Sequence, residues 1–142
     1  MPHAPSPMPT NLLVEIVSPD RTAYRGEAIR FRAPGVEGAF EVLRGHAPML
    51  AATEVGQTIV TTPSGERVTI ATSGGFVEVL DNRVIMLAES AEPASDIDVS
   101  RAQDAEERAR QRLAEATAEE REAAKADLDR ARNRLRAGMG KV

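Results

Sequence analysis

The sequence predicts an α+β chain: an N-terminal antiparallel β-sandwich of about eight to ten short strands, followed by a C-terminal antiparallel hairpin of two helices. Three observations predict it. All nine prolines lie at or before Pro93 and eight of the ten glycines lie between Gly26 and Gly75, whereas residues 94–137 contain neither. Charge shifts at the same place: residues 1–97 hold 12 acids and 7 bases, residues 98–142 hold 10 acids and 11 bases, so 21 of the last 45 residues are charged. The spacing of apolar residues also changes there, from alternation to a helical repeat. The boundary falls at about 92–97, with a sandwich over 11–92 and a hairpin over 97–137.

Taken in order, residues 1–10 carry four prolines but no basic stretch followed by an apolar one. They are expected to form a disordered leader rather than a signal peptide, with Met8 a second candidate start. Residues 12–18 are β-rich and end at Ser18-Pro19-Asp20. Residues 28–33 alternate Ile29 and Phe31 against Arg30 and Arg32, the period of a half-buried strand. Gly35 and Gly38 punctuate the approach to a strand at 39–43. Residues 57–61 and 67–72 flank Pro63-Ser64-Gly65-Glu66 as a hairpin, and residues 75–80 and 83–87 flank Asp81-Asn82 as a tighter one. Short strands at this spacing indicate a sandwich or barrel rather than a parallel α/β sheet.

Asp98 or Asp96 is placed to cap the first helix, along which Val99, Ala102, Ala109, Leu113 and Ala116 form one stripe. Ala124, Leu128, Ala131 and Leu135 form a heptad-like seam on the second. The break is expected at 116–119, with Thr117 capping the second helix and Glu120 at its N3 position. Each helix would have roughly 18 residues and a length of about 27 Å. The seam is mostly Ala, so it buries little apolar area. The hairpin is therefore expected to be weakly held to itself and to the sandwich, able to change position; the alternative is a fixed, well-solvated coiled coil.

Composition narrows the function. A net charge of -4 offers no electrostatic footprint for nucleic acid. Hydrophobic residues make up 42% and aromatics 3%, with no Trp, so the core must rest on Val, Ile, Leu and Ala. The absence of Cys excludes disulfides, thiolate metal sites and a Cys nucleophile, and suits a reducing compartment. The longest apolar runs, such as 12–17, are too short to span a bilayer, which leaves a soluble, intracellular chain as the expectation. Phosphate-loop, dinucleotide-binding, zinc-protease and nucleophile-elbow motifs are all missing. His3 lies in the leader. His46, in Gly45-His46-Ala47-Pro48, has no partner His or Cys and reads as a loop histidine making structural hydrogen bonds, not a metal ligand. Ser73-Gly74-Gly75 has the composition of an anion cradle but reads as a turn or bulge before a strand. No catalytic constellation is present.

Arginines are the remaining candidates. Arg101 and Arg108 lie two helical turns apart on the first helix, and Arg130 and Arg134 one turn apart on the second. In an antiparallel hairpin both pairs can converge on an anion carrying several phosphates, with Arg132 and Arg136 on the neighbouring face. The alternative is ion pairing with neighbours such as Glu106 and Asp127.

Several segments together carry a more specific signal: Gly45-His46-Ala47-Pro48-Met49-Leu50, Ser73-Gly74-Gly75-Phe76-Val77-Glu78-Val79, Ala88-Glu89-Ser90-Ala91-Glu92 and Ile97-Asp98-Val99-Ser100-Arg101-Ala102. In that order, within a match over about residues 10–136, they resemble the epsilon subunits of bacterial F-type ATP synthases (delta in mitochondria). The resemblance implies a non-catalytic rotor component that needs no cofactor. Its sandwich would dock on the gamma subunit and on the polar loops of the c-ring, linking proton-driven rotation to ATP synthesis. Its hairpin would either fold on the sandwich or extend along gamma into the alpha/beta head, where it blocks ATP hydrolysis. The complex would place the chain peripherally on the cytoplasmic face of the bacterial plasma membrane.

In some members of that family a bound ATP, acting as a regulatory ligand, holds the folded hairpin. The motif concerned is matched here by Ile97, Asp98, Arg101 and Ala102, with Glu92 five positions before it, Arg108 seven after its Arg, and Arg130, Arg134 and Leu135 further on. The resemblance implies that the arginines take the phosphates, while Asp98, Glu92 and the backbone near Ile97 hold the base and ribose. The segment 35–44 departs from the family pattern, with Ala39 and Glu41 where a second acid and a Gly commonly stand. Glu37, Glu41 and His46 are accordingly the candidates for the contact with the c-ring or gamma. Two other readings compete: a stand-alone adaptor that self-associates through its Ala/Leu seam, and a hydrolase using His46, for which no triad partner exists.

Overall fold

The computed structural model describes residues 11–140; the expected leader, with His3 and Met8, lies outside them. Among the described residues, ten strands form two five-stranded sheets. The first runs β2 (Thr22–Ala28), β1 (Leu12–Val17), β9 (Arg83–Ala88), β8 (Gly75–Leu80), β5 (Met49–Thr53). The second runs β10 (Ala91–Pro93), β7 (Arg67–Thr72), β6 (Gly56–Thr61), β3 (Arg30–Ala33), β4 (Phe40–Val42). A 3-10 turn, Ala94–Asp96, leads into α1 (Val99–Glu115) and α2 (Arg121–Gly138). The last strand thus runs one residue past the expected edge of the sandwich.

Alternation in the strands builds the core. Leu12, Val14 and Ile16 of β1 face inward with Val77 and Val79 of β8 and Val84 and Met86 of β9, meeting Phe31, Val42, Val60 and Ile70 of the other sheet. The polar groups inside this layer are mostly paired: Thr58 and Thr72 share a hydrogen bond of 2.9 Å, and Thr58 also reaches the Met86 sulfur at 3.4 Å. The two-residue turn Asp81-Asn82 has φ of 49° and 62°, the left-handed geometry that suits a β8–β9 hairpin.

The sandwich differs from expectation in three places. β2 and β5 do not stand out in the sequence because they are the two edges of the first sheet. Edge strands tolerate the Gly26 and charges of β2 and the two alanines of β5, and so blur the alternation that marks a central strand. The expected strand 28–33 is broken: Ala28 ends β2 in one sheet, Arg30 begins β3 in the other, and Ile29, at the crossing, is 43% exposed instead of pairing with Phe31 in the core. One pairing is parallel, β1 with β9 over Leu13↔Arg83 to Val17↔Leu87, among otherwise antiparallel neighbours.

The hairpin is assembled by caps and small residues. Asp98, not Asp96, is the N-cap of α1, its carboxylate accepting the Arg101 backbone N–H at 3.1 Å. Thr117 and Glu120 exchange hydrogen bonds: the threonine hydroxyl and N–H donate to the carboxylate at 2.7 and 3.3 Å, and the hydroxyl oxygen accepts the Glu120 N–H at 3.3 Å. This reciprocal box sits one turn ahead of the regular helix, which starts at Arg121. The hydrogen bonds from Thr117 hold the Glu120 carboxyl below its ordinary value. Ala102 and Ala109 of α1 and Leu128 and Ala137 of α2 are buried.

Helix α2 lies against β6, β7 and the 3-10 turn. The apolar part of that contact is small: Ala71, Ile97, Ala102 and Ala137, with Ala94 and Leu135 beside them. Gly138 completes it, since a Cβ there would stand 2.7 Å from Ile97 Cγ2. Polar ties do the rest. The Asn133 amide donates to the Gly56 carbonyl at 2.7 Å and to that of Thr72 at 3.4 Å, and Arg134 clasps Glu92.

Candidate functional site

Where the hairpin meets the sandwich, a cleft of about 510 Å³ opens between α2, the β7 end and the β1–β2 turn. Glu92, Arg130 and Arg134 line it together with Asn133, Arg21 and the hydroxyls of Ser73 and Ser90. Its size is that of a small-ligand site. Glu92 is delivered by β10, which pairs with β7 through Glu92↔Ala71. Arg130 and Arg134 are one turn apart on α2, so both reach the same side of the helix.

Each of these guanidiniums holds a carboxylate. Arg134 donates to both Glu92 oxygens, Nε at 2.7 Å and Nη2 at 3.2 Å. The hydrogen bond that Arg134 donates to Glu92, aided by the charges of Glu92 and Asp98 and opposed by partial burial, raises the Arg134 guanidinium above its ordinary value. Asp98 therefore sits within electrostatic reach of the cluster even though it does not line the cleft. Arg130 pairs with Asp127 on its own helix.

The remaining candidates for the ATP site lie elsewhere. Ile97 is buried in the small apolar cluster under α2, and Ala102 is buried beside it. Arg101 is 85% exposed, with its guanidinium 3.8 Å from Asp98. Arg108 is also exposed, and neither arginine lines the cleft. Ala102 and Ala109 explain this: they occupy the buried stripe of α1, and the residue preceding each is turned about 100° away from it. Of the four arginines expected to converge, two meet at the cleft. Ion pairing with neighbours is also found, in Arg130–Asp127 and in Glu106, which accepts from Arg110 at 2.8 Å and approaches Arg132 at 3.7 Å.

The candidates for a partner contact are at the opposite kind of surface. Glu37 is exposed in the tight loop 35–38, where the Gly38 N–H donates to the Gly35 carbonyl at 3.0 Å. Glu41, on edge strand β4, lies 3.5 Å from Arg32 and 3.9 Å from Arg30. His46 donates from Nδ1 to the Ala47 carbonyl at 2.7 Å. Its loop is fixed by the Asn82 side chain, which accepts the Gly45 N–H at 2.7 Å. Gly74-Gly75 packs rather than binds, since a Cβ on Gly75 would stand 1.9 Å from the Leu87 carbonyl oxygen, whereas Ser73 lines the cleft.

Besides Arg21 of the cleft, two features were not read from the sequence. Asn133 is one polar residue in a charged helix, and only the fold shows that it faces two strand carbonyls. The outer face of the first sheet exposes Leu13, Leu50, Phe76, Leu80, Ile85 and Leu87, of which Leu50 is 70% exposed. The signal for this face was present in the strands 75–80 and 83–87, where both alternating sets contain large apolar residues. Charges interrupt the face, since Glu78 stands between Ile85 and Leu50 and Arg83 between Leu13 and Leu80, but so many exposed apolar side chains on one sheet face mark an interaction site. Among the described residues no group of His, Asp or Glu is arranged to hold a metal ion, and no helix is long and apolar enough to cross a membrane.

Residues 11–94 match the family model described as "ATP synthase, Delta/Epsilon chain, beta-sandwich domain", and residues 95–138 match "ATP synthase, Delta/Epsilon chain, long alpha-helix domain". The chain belongs to the ATP synthase delta/epsilon family. Among curated relatives, the ATP synthase epsilon chain of Salinibacter ruber is 54% identical, over 76% of this chain and 78% of that protein. That of Syntrophomonas wolfei is 43% identical over 90% of this chain and 94% of its own length. A chain in the mitochondrial ATP synthase structure of Euglena gracilis shares the fold of this delta/epsilon protein, with a TM-score of 0.79 at 22% identity, covering 96% of this chain and 86% of that one.

Proposed function

We propose that this delta/epsilon-family chain is a non-catalytic, central-stalk subunit of an F-type ATP synthase and regulates ATP hydrolysis through a detachable hairpin. The exposed apolar side chains of the first sheet form the docking surface for the gamma subunit, and Glu37 and His46 in their loops, with Glu41 on edge strand β4, are the candidates for the c-ring or gamma contact. The observation that carries the reading is how the hairpin is held: a patch of small residues, one amide and one clasped arginine. Those ties are few and reversible, so α1 and α2 can leave the sandwich without unfolding its core. ATP is the regulatory ligand, taken by Glu92, Arg130 and Arg134 at the cleft, with Ile97 and Asp98 recruited from the segment that leads into α1 and Arg101, Ala102 and Arg108 from α1 itself. As a stalk subunit of that complex, the chain sits peripherally at the cytoplasmic face of the bacterial plasma membrane.

The test combines reconstitution with titration. The protein is added to a gamma-containing catalytic head, and hydrolysis is followed with ATP binding measured by calorimetry on the wild type, Arg101→Ala and Arg130→Ala. The expected result is a stable complex whose hydrolysis is slowed, with inhibition deepened in the variants because they no longer bind ATP. Failure to join the head removes the rotor reading. Binding to the head without any effect on hydrolysis leaves the stalk role and removes the regulatory one.

A further inference from the structure

The cleft beside α2 has a sandwich side that the nucleotide reading leaves out. There the β1–β2 turn closes tightly: the Ser18 N–H donates to the Arg21 carbonyl at 2.8 Å, and the Arg21 N–H donates back to Ser18 at 3.3 Å. Arg21 thus has a fixed backbone and a side chain that lines the cleft. Its guanidinium donates to Asp96 at 2.9 Å, 75 positions along the chain in the 3-10 turn that joins sandwich to hairpin. The two side chains are 42% and 51% exposed, so the pair is screened by solvent and weak.

Three guanidiniums therefore border one cleft, Arg21 from the sandwich and Arg130 and Arg134 from the hairpin, each holding a single carboxylate among the described residues. A ligand carrying several phosphates offers more charge and more acceptor oxygens than any of those carboxylates, and guanidinium geometry suits both. Beside Arg21, Ser73 and Ser90 hold each other at 2.7 Å. One hydroxyl proton suffices for that bond, which leaves the other to donate to a ligand oxygen.

We propose that Arg21 is a phosphate ligand of this cleft, exchanging Asp96 for a phosphate oxygen of the bound nucleotide. The inference rests on the nucleotide reading given above. It makes the ligand a tie between the two parts of the chain, gripped through its phosphates by the sandwich on one side and by α2 on the other.

The test is calorimetric titration of the full chain with ATP and with AMP, using wild type, Arg21→Ala, Asp96→Asn and Arg134→Ala. Removing one charge-assisted contact weakens ATP binding by about tenfold in Arg21→Ala. AMP, with a single phosphate, is weakened less. Asp96→Asn frees Arg21 in advance, so ATP binds at least as tightly as to wild type. A salt bridge that merely stabilises the fold predicts the opposite for Asp96→Asn, and equal weakening in the two variants overturns the proposal. So does unchanged ATP binding in Arg21→Ala while Arg134→Ala abolishes it, an outcome that leaves the nucleotide reading intact. A wild type that takes no ATP at millimolar concentration removes both.

Discussion

Replacing Asn133 with Asp tests whether one amide fastens the hairpin to the sandwich. The substitution keeps shape and exchanges the Nδ2 donor for an acceptor, setting a carboxylate oxygen against the Gly56 carbonyl, now 2.7 Å from the amide, and the Thr72 carbonyl at 3.4 Å. Loss of a neutral hydrogen bond costs about 1 kcal/mol, and leaving a partly buried charge unpaired against carbonyls adds a similar amount. The sum, roughly 2 kcal/mol, is about a thirtyfold change in the docking equilibrium, against roughly fivefold for Asn133→Ala. Amide hydrogen exchange reads it directly, because α2 can detach while the sandwich stays folded. Exchange over Arg121–Gly138 should rise by those factors, with the core strands unchanged. The effect should also reverse with acid. Docking disfavours the charged Asp, so its pKa is raised in the docked state; docking is then fully recovered below the free-Asp pKa of about 3.9 and lost as pH rises through the docked value. Unchanged α2 exchange, or an equal rise at core positions such as Phe31 and Val77, would refute the argument.

Substitutions at three further positions probe other joints. Gly75→Ala drives a methyl against backbone atoms, 1.9 Å from the Leu87 oxygen and 2.9 Å from Ala88 Cα, so β8 must move away from β9. The loss lies at the upper end of about 1–3 kcal/mol for overpacking, and thermal unfolding should drop by roughly 10 °C. Asn82→Ala loses both the left-handed turn residue and the hydrogen bond to Gly45, about 2 kcal/mol in urea unfolding; Asn82→Gly keeps the turn and should recover about half. Because Thr117 lowers the Glu120 carboxyl, that carboxylate supports the start of α2 above its ordinary pKa, and the support fades as pH falls through the lowered value. Circular dichroism should show this acid loss of helix in the wild type and a smaller one in Thr117→Ala.

Local chemistry was legible in the sequence; crossings between elements were not. The Asp81-Asn82 turn, the Asp98 cap and the Thr117–Glu120 box depend on residues within four positions of each other, and each occurs where the spacing puts it. Ile29 shows the opposite case. Its neighbours alternate correctly, yet the chain leaves one sheet and enters the other at that residue, and alternation carries no sign of a change of sheet. The site divides likewise. Arg130 and Arg134 share a helix face by spacing alone, whereas Glu92, 42 positions from Arg134, meets it only because β10 folds beside β7. Arg21 escaped notice for the same reason, since nothing near it in sequence reveals a partner in the joining turn.

The parallel pairing of β1 with β9 has a consequence for how the molecule is made. Leu13 and Arg83 are neighbours in the sheet but 70 positions apart in the chain. During synthesis β1 can meet β2 at once, yet its other edge stays open until the ribosome has added β9. At about 5–20 residues per second, that is a wait of roughly 4–14 s, with the backbone N–H and C=O groups along that edge of β1 unpaired. The strand that opens the fold is therefore the one that needs shielding while the rest of the sandwich is still being translated, and its closure against β9 is the long-range step that commits the nascent chain to its final topology.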